Sequence, residues 1–256
     1  MISFHIDSDS LQRSVRVDVY IPRSEKSDDV RDLLLFNDGQ ELIKMDLDSI
    51  LSDLDDRVES LICVGVHAGE DRRQEYGVVG FPDYMNRGSK AEQYSVFVFS
   101  ELMPSLIKYM GVSRFRDKFF AGFSLGGLMA FDLVIDNPME FRKCGVFSGS
   151  FWWRSKPLGK EYDDDLHRII LNKVRMKKPI TEQQFFFQVG TLDEIEDRNN
   201  NGIIDSIDDT IDLIRELEKI GYDRTRNIYY LELKDGSHNY ETWGKAMPLF
   251  LSWLLK

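Results

Sequence analysis

Apolar residues along this chain fall into two rhythms. Short, nearly unbroken apolar runs recur: D-L-L-L-F-N-D-G, S-L-I-C-V-G-V, D-K-F-F-A-G-F, K-C-G-V-F-S, Q-F-F-F-Q-V-G and I-Y-Y-L-E-L. Each is short and bounded by turn residues or charges, so each predicts a strand. V-R-V-D-V-Y-I, at 15–21, alternates instead and closes on Pro22, which predicts an earlier strand. Between the runs lie longer stretches of helical period. One covers 97–110, although Pro104 inside it makes a helix beginning at Pro104 the alternative. The others are G-G-L-M-A-F-D-L-V-I-D-N, stopped before Pro138; S-I-D-D-T-I-D-L-I-R-E-L-E-K-I, ended by Gly221; and Y-E-T-W-G-K-A-M-P-L-F-L-S-W-L-L near the end.

Buried runs alternating with helices predict an α/β fold, a mostly parallel sheet with helices on both faces. Runs such as L-L-L-F and F-F-F suit strands covered on both sides. Segment 154–181 breaks the rhythm. It is charged and weakly periodic apart from L-H-R-I-I-L, and it reads as an insertion over the sheet within one domain spanning 1–256.

Composition narrows the partners. Hydrophobic residues make up 42% and aromatics 12%, enough for a sizeable core. The net charge of −11 turns away nucleic acid and anionic membrane. No apolar stretch is long enough to span a bilayer, and M-I-S-F-H-I-D-S-D-S lacks the basic-then-apolar order of a signal peptide. Cys63 and Cys144 each sit in an apolar run and read as buried thiols in a reducing compartment. A cytoplasmic protein acting on a small molecule is the expectation.

The chemistry centres on A-G-F-S-L-G-G. Ser124 follows one strand and opens a helix, with Gly122 and Gly126 around it in G-x-S-x-G spacing. A sharp turn there lifts the hydroxyl above the sheet, and glycines keep the turn free of clashes. A serine hydroxyl needs a base. Of four histidines, His5 precedes any predicted element and reads as exposed, His67 ends a strand and could face the cleft, and His167 lies in the insertion. His238, in D-G-S-H-N-Y-E-T-W, sits between the last strand and the last helix, where the order nucleophile–acid–histidine places the base. Asp193 and Glu194, both after Q-F-F-F-Q-V-G, compete as the acid; Asp193 is favoured. Oxyanion donors are expected at the amides of Leu125 and of Gln40, the latter in F-N-D-G-Q.

Four blocks together resemble the enterobactin-esterase and esterase-D group of α/β hydrolases, the putative-esterase family: N-D-G-Q, G-F-S-L-G-G, V-F-S-G-S-F-W-W and G-S-H-N-Y-E-T-W. V-G-V-H-A-G-E-D-R-R-Q-E-Y-G is similar to a fifth. The resemblance implies an α/β-hydrolase fold and hydrolysis of a carboxylic ester, with Ser124, His238 and an acid near Asp193 as triad and no cofactor for the chemistry. The substrate does not carry over with the resemblance; siderophore-like or other small acyl esters are the candidates. Acyl transfer on the same scaffold, or a non-catalytic binding protein, are the alternatives. Trp152, Trp153, Arg72 and Tyr76 are pocket candidates, with core packing the competing role for one tryptophan and a surface ion pair for Arg72.

A second motif stands apart. D-R-N-N-N-G-I-I-D-S-I-D, at 197–208, has calcium-loop spacing. It puts Asp197, Asn199 and Asn201 at the first, third and fifth positions, Gly202 at the turn, the Ile203 carbonyl next, then Asp205 and Asp208. A structural Ca²⁺ there would steady the neighbouring acid loop.

Overall fold

Leu33 and Leu35 point to one side of the sheet, Leu34 and Phe36 to the other, and all four are sealed from solvent. Phe185 and Phe187 alternate with Phe186 in the same way. Both faces of these strands are covered, so their apolar runs are continuous.

The structure is a computed structural model describing residues 1–21, 31–54, 58, 60–178 and 182–256. Its strands are β1 (Ile2–Ser8), β2 (Arg13–Tyr20), β3 (Asp32–Asn37), β4 (Leu61–Val66), β5 (Lys118–Phe123), β6 (Lys143–Phe147), β7 (Gln184–Leu192) and β8 (Ile228–Ser237). They lie in the order β1-β2-β4-β3-β5-β6-β7-β8. The β1–β2 and β2–β4 pairs are antiparallel and the other five are parallel. One face is covered by α1 (Gly39–Lys44), α2 (Leu47–Asp53) and α10 (Tyr240–Leu254). The other carries α4 (Ala91–Val96), α5 (Met103–Met110), α6 (Leu125–Asp136), α8 (Ile169–Arg175) and α9 (Asp205–Lys219). Two short helices, α3 (Arg72–Glu75) and α7 (Asp164–His167), lie in connections. This is the mostly parallel α/β sheet expected. No described helix is long and apolar enough to cross a membrane.

Two expectations need correction. His5 does not precede all structure: it lies on β1, an edge strand whose solvent-facing residues hid its period, and it is exposed. The stretch 97–110 is not a single α-helix. A helix already under way at Ala91 widens to a π-helix over Phe97–Leu102 before α5. Pro104 then falls in the first turn of α5. Proline has no N–H and its ring crowds the carbonyl four residues back, and the wider turn relieves both problems.

Segment 154–181, of which 179–181 lie outside the described residues, joins the body through charge as well as apolar contact. Ile170, Leu171 and Val174 enter the core. Arg168 is buried and pairs with Asp209 at 2.8 Å and Asp212 at 2.7 Å, both on α9. Arg198 completes the cluster, 2.6 Å from Asp209 and 2.7 Å from Asp164. Lys173 holds Asp132 and Asp136 of α6. Burial pushes Asp132 and Asp209 each up to about 6, against the pull of these cations.

Removing one partner from such a cluster strands a buried charge. Arg168→Met is therefore expected to lower the unfolding free energy in urea by about 3 kcal/mol, as in other broken buried pairs. A loss within ~0.5 kcal/mol, the range of ordinary surface changes, would refute the structural importance of this cluster.

Candidate active site

Ser124 has φ 55° and ψ −122°, a backbone state that non-glycine residues rarely adopt. The surroundings enforce it. Its N–H donates to the Phe147 carbonyl at 2.9 Å, and its carbonyl accepts from Gly127, Leu128 and Ser150. A methyl group at Gly122 would lie 2.3 Å from the Gly126 oxygen, and one at Gly126 would lie 2.4 Å from Asp38 Oδ2. Side chains are excluded at both places, so strand and helix meet closely around the half-buried Ser124. That hydroxyl lies 3.4 Å from Ser150 Oγ.

The acid and the histidine arrive on adjoining strands. β7 and β8 shift register between Gly190 and Leu192, and their backbones nearly touch there: a methyl group on Gly190 would lie 2.3 Å from the Gly236 oxygen. Asp193 and His238 follow this contact at once. Asp193 Oδ2 accepts the Gly190 amide at 3.0 Å, while Oδ1 is buried without a hydrogen-bond partner. Burial raises the Asp193 pKa; the Gly190 amide, the Ser148 hydroxyl and the His238 charge oppose that. His238 keeps an exposed edge, yet enough protein crowds its ring to disfavour the imidazolium. Its pKa is lowered by burial first, pulled up by Asp193 and pushed down by Arg72. The Trp243 ring braces it edge-on at 5.4 Å, and Trp243 Nε1 donates to Ser148 Oγ at 3.0 Å. Among the described residues no hydrogen bond joins His238 to Ser124 or Asp193. Triad bonds are often long without substrate.

Glu194, the rival acid, faces elsewhere. Its pKa is pushed up to about 7 by burial and by Asp205, Asp209 and Glu196 around the start of α9.

Arg72 is neither free nor a surface ion. Its guanidinium grips Asp38 with two hydrogen bonds, at 2.6 and 2.7 Å, and reaches the Phe123 carbonyl at 3.4 Å. Asp38 has φ 61° and initiates α1, whose second residue is Gln40. Gln40 donates its side-chain amide to Asp38 and accepts from the Ala68 amide. The first-turn amides of Leu125 in α6 and Gln40 in α1 have no carbonyl partner within their helices.

The sequence matches the Putative esterase family over residues 8–254. The chain belongs to this esterase family. Its fold is similar to that of an enterochelin esterase from Shigella flexneri, at 18% identity and TM-score 0.71 over 98% of this chain and 57% of that one. It is also similar to an IroE-like serine hydrolase from Shewanella oneidensis, at 16% identity and TM-score 0.70 over 99% of this chain and 79% of that one. The siderophore hydrolase EstB from Aspergillus nidulans aligns at 16% identity and TM-score 0.69, over 97% and 93% of the two chains. The chain spans little more than half the length of the Shigella protein, and likeness at these identities is one of fold. No curated protein matches it.

The remaining candidates scatter through the fold. His67 Nε2 is 2.6 Å from buried Asp18, and His167 Nδ1 accepts the Asp163 amide at 2.8 Å. Tyr76 and Trp153 have no exposed surface, so neither meets a substrate in this state; Trp152 keeps some. Trp153 fills the space over Gly77 and Gly88, where a methyl group on either would lie 2.8 Å from its ring. The calcium reading gains no support from the geometry. Among the described residues no three His, Cys, Asp or Glu side chains cluster as a metal site. Asp205 is held by the Arg198 amide and guanidinium, Asp208 accepts from Asn199 and Asn201, and Asp197 accepts from the amides of Asn201 and Gly202. Ser148, Ser150 and Trp243 were missed, although V-F-S-G-S-F-W-W and N-Y-E-T-W contain them.

The charges around His238 give signed expectations. In an NMR titration its midpoint should fall below the ordinary 6.5. Asp193→Asn should lower it further, and Arg72→Met should raise it. A shift of the opposite sign in either variant would contradict the arrangement.

Proposed function

We propose that this esterase hydrolyses small-molecule carboxylic esters through Ser124, His238 and Asp193. The observation that carries the reading is the Asp193 carboxylate, with Oδ1 buried and unpartnered, placed electrostatically beside His238 above a strained Ser124. A buried acceptor without a donor costs free energy unless a neighbour fills the need. The His238 ring nitrogen is that neighbour once the ring turns toward Asp193. Its other nitrogen then faces the nucleophile.

The steps follow from these groups. Ser124 Oγ attacks the ester carbonyl while His238 takes its proton. The amides of Leu125 and Gln40 stabilise the developing oxyanion. His238 returns the proton to the leaving alcohol, and a water, activated the same way, releases the acid from Ser124. No cofactor enters. Burial keeps His238 neutral near pH 7, the form a base requires. Arg72 acts through Asp38 to hold the start of α1 against α6, fixing the spacing of the two oxyanion donors. Names of similar structures include siderophore and ferulic acid esterases, so siderophore-like and aromatic acyl esters head the substrates to try. Free, buried Cys63 and Cys144 suit a reducing, cytoplasmic setting.

Ser124→Ala should abolish both p-nitrophenyl ester turnover and fluorophosphonate labelling in a folded protein. Asp193→Asn should lower kcat by up to ~10⁴, and Glu194→Gln by far less. Undiminished turnover in the first variant would end the mechanism; the reverse ranking of the other two would move the acid to Glu194.

A further inference from the structure

Downstream of Ser150, whose hydroxyl neighbours the nucleophile, the chain builds a stack of rings and cations. Arg87 lies over Trp152, its guanidinium carbon 4.9 Å from the ring centroid, and over Tyr84 at 6.0 Å. On the same tryptophan sits Arg154, at 5.7 Å, and Arg154 also lies over Tyr162 at 5.8 Å. The two cations differ in one respect. Arg87 is neutralised by buried Asp83, which accepts from Nε at 2.7 Å and from a second guanidinium nitrogen. Arg154 makes no ion pair and no side-chain hydrogen bond among the described residues, and its Nε is shielded from solvent with no acceptor. The carboxylate beside Tyr162, Asp164, is held by Arg198 at 2.7 Å and approaches Arg168 at 3.7 Å.

The backbone beneath this cation is fixed from two sides. The Arg154 carbonyl accepts the Tyr84 amide at 3.0 Å, and the residue bridges to Arg168 in antiparallel fashion. It is also near the nucleophile in chain terms. Trp153 N–H donates to the Ser150 carbonyl at 3.3 Å, which closes a turn. A closed turn keeps its end Cα atoms within ~7 Å, and one more residue adds ~3.8 Å, so the Arg154 Cα lies within about 11 Å of that of Ser150. A substrate of modest length spans that distance.

Resting on the esterase reading, we propose that Arg154, held between Trp152 and Tyr162, is a recognition site for a carboxylate carried by the ester substrate. A guanidinium presents planar, paired donors that match a carboxylate in two parallel hydrogen bonds. The ring faces fix the plane of the fork, so little freedom is lost on binding. On a chain of net charge −11, a cation without a counter-ion also draws an anion against the general field. The favoured substrates are therefore half-esters or esters of hydroxy acids, whose free carboxylate reaches Arg154 while the ester carbonyl meets Ser124.

The test compares charged and neutral esters of equal length. One series is the mono-p-nitrophenyl esters of dicarboxylic acids, against p-nitrophenyl alkanoates; the other is acetyl esters of hydroxy acids, against those of the matching alcohols, followed by pH-stat. The wild-type enzyme should favour the charged member of at least one series by about tenfold or more in kcat/KM at the length that spans the gap. That ratio should collapse toward one in Arg154→Gln and be partly kept in Arg154→Lys, which retains charge but not the fork. A wild-type enzyme that shows no preference for charged esters at any length overturns the proposal whatever the variants do, and so does a preference that survives intact in Arg154→Gln. Binding separates this proposal from the esterase reading. Calorimetry on Ser124→Ala should show uptake of the preferred half-ester, or of the longest dicarboxylic one if none is turned over, and Ser124→Ala/Arg154→Gln should show none. Equal uptake by both, or none by either, rejects the site.

Discussion

At Ser124 the chain passes from β5 to α6 in a single residue whose φ is 55°. A conformation of this kind costs of order 1–3 kcal/mol and persists only where its surroundings over-determine it. Here they do so by contact. Gly122 and Gly126 meet backbone to backbone, Gly127 packs on Gly122, and the Asn37 side-chain amide donates to the Gly126 carbonyl at 2.8 Å. Tyr94 in turn donates to Asn37. Strand, helix and the end of β3 thus lock around one turn. The half-buried Ser124 hydroxyl sits at that lock, 3.4 Å from Ser150 Oγ.

The second determinant is electrostatic. Three influences act on the histidine: burial disfavours the protonated ring most, Asp193 favours it, and Arg72 disfavours it. Asp38 quiets Arg72 at close range without removing its field. The Arg72–Asp38 pair therefore joins two tasks, shaping the start of α1 and tuning the ring across the cleft. Pairing raises the Arg72 pKa despite burial, so the guanidinium stays charged wherever the chain is folded.

Most of the fold was legible because burial on both faces leaves continuous apolar runs in β3 to β7, while the edge strand β8 was read from its short I-Y-Y-L-E-L run. β1 was not legible: it is an edge strand with mixed exposure, and its period is diluted. The π-helix was hidden because Pro104 argues for a helix start as readily as for a widened turn. In the candidate site, the G-x-S-x-G turn could be read along the chain, because a glycine-flanked serine between a strand and a helix is a local signal. The roles of Arg72, Tyr76 and Trp153 could not, since burial and pairing depend on distant partners: Asp38 is 34 positions from Arg72. The calcium spacing at 197–208 gained no support for a related reason. Arg198, which the pattern ignores, claims Asp205 and Asp209 from within the loop.

The segment joining α7 and α8 to α9 depends on Arg168, Arg198 and Asp209, whose side chains are nearly closed to solvent. Ions in the medium screen surface pairs but reach sealed ones poorly. Heating also reduces the penalty of keeping such charges dehydrated, because the hydration they forgo becomes less favourable as temperature rises. The wall that carries Arg154 is thus fastened by contacts whose strength barely depends on brine and improves with warmth. The opposite holds for an exposed pair such as Lys90 with Asp71, where salt competes directly. Ionic strength therefore acts on the exposed pairs of this fold rather than on the sealed cluster that holds its shape.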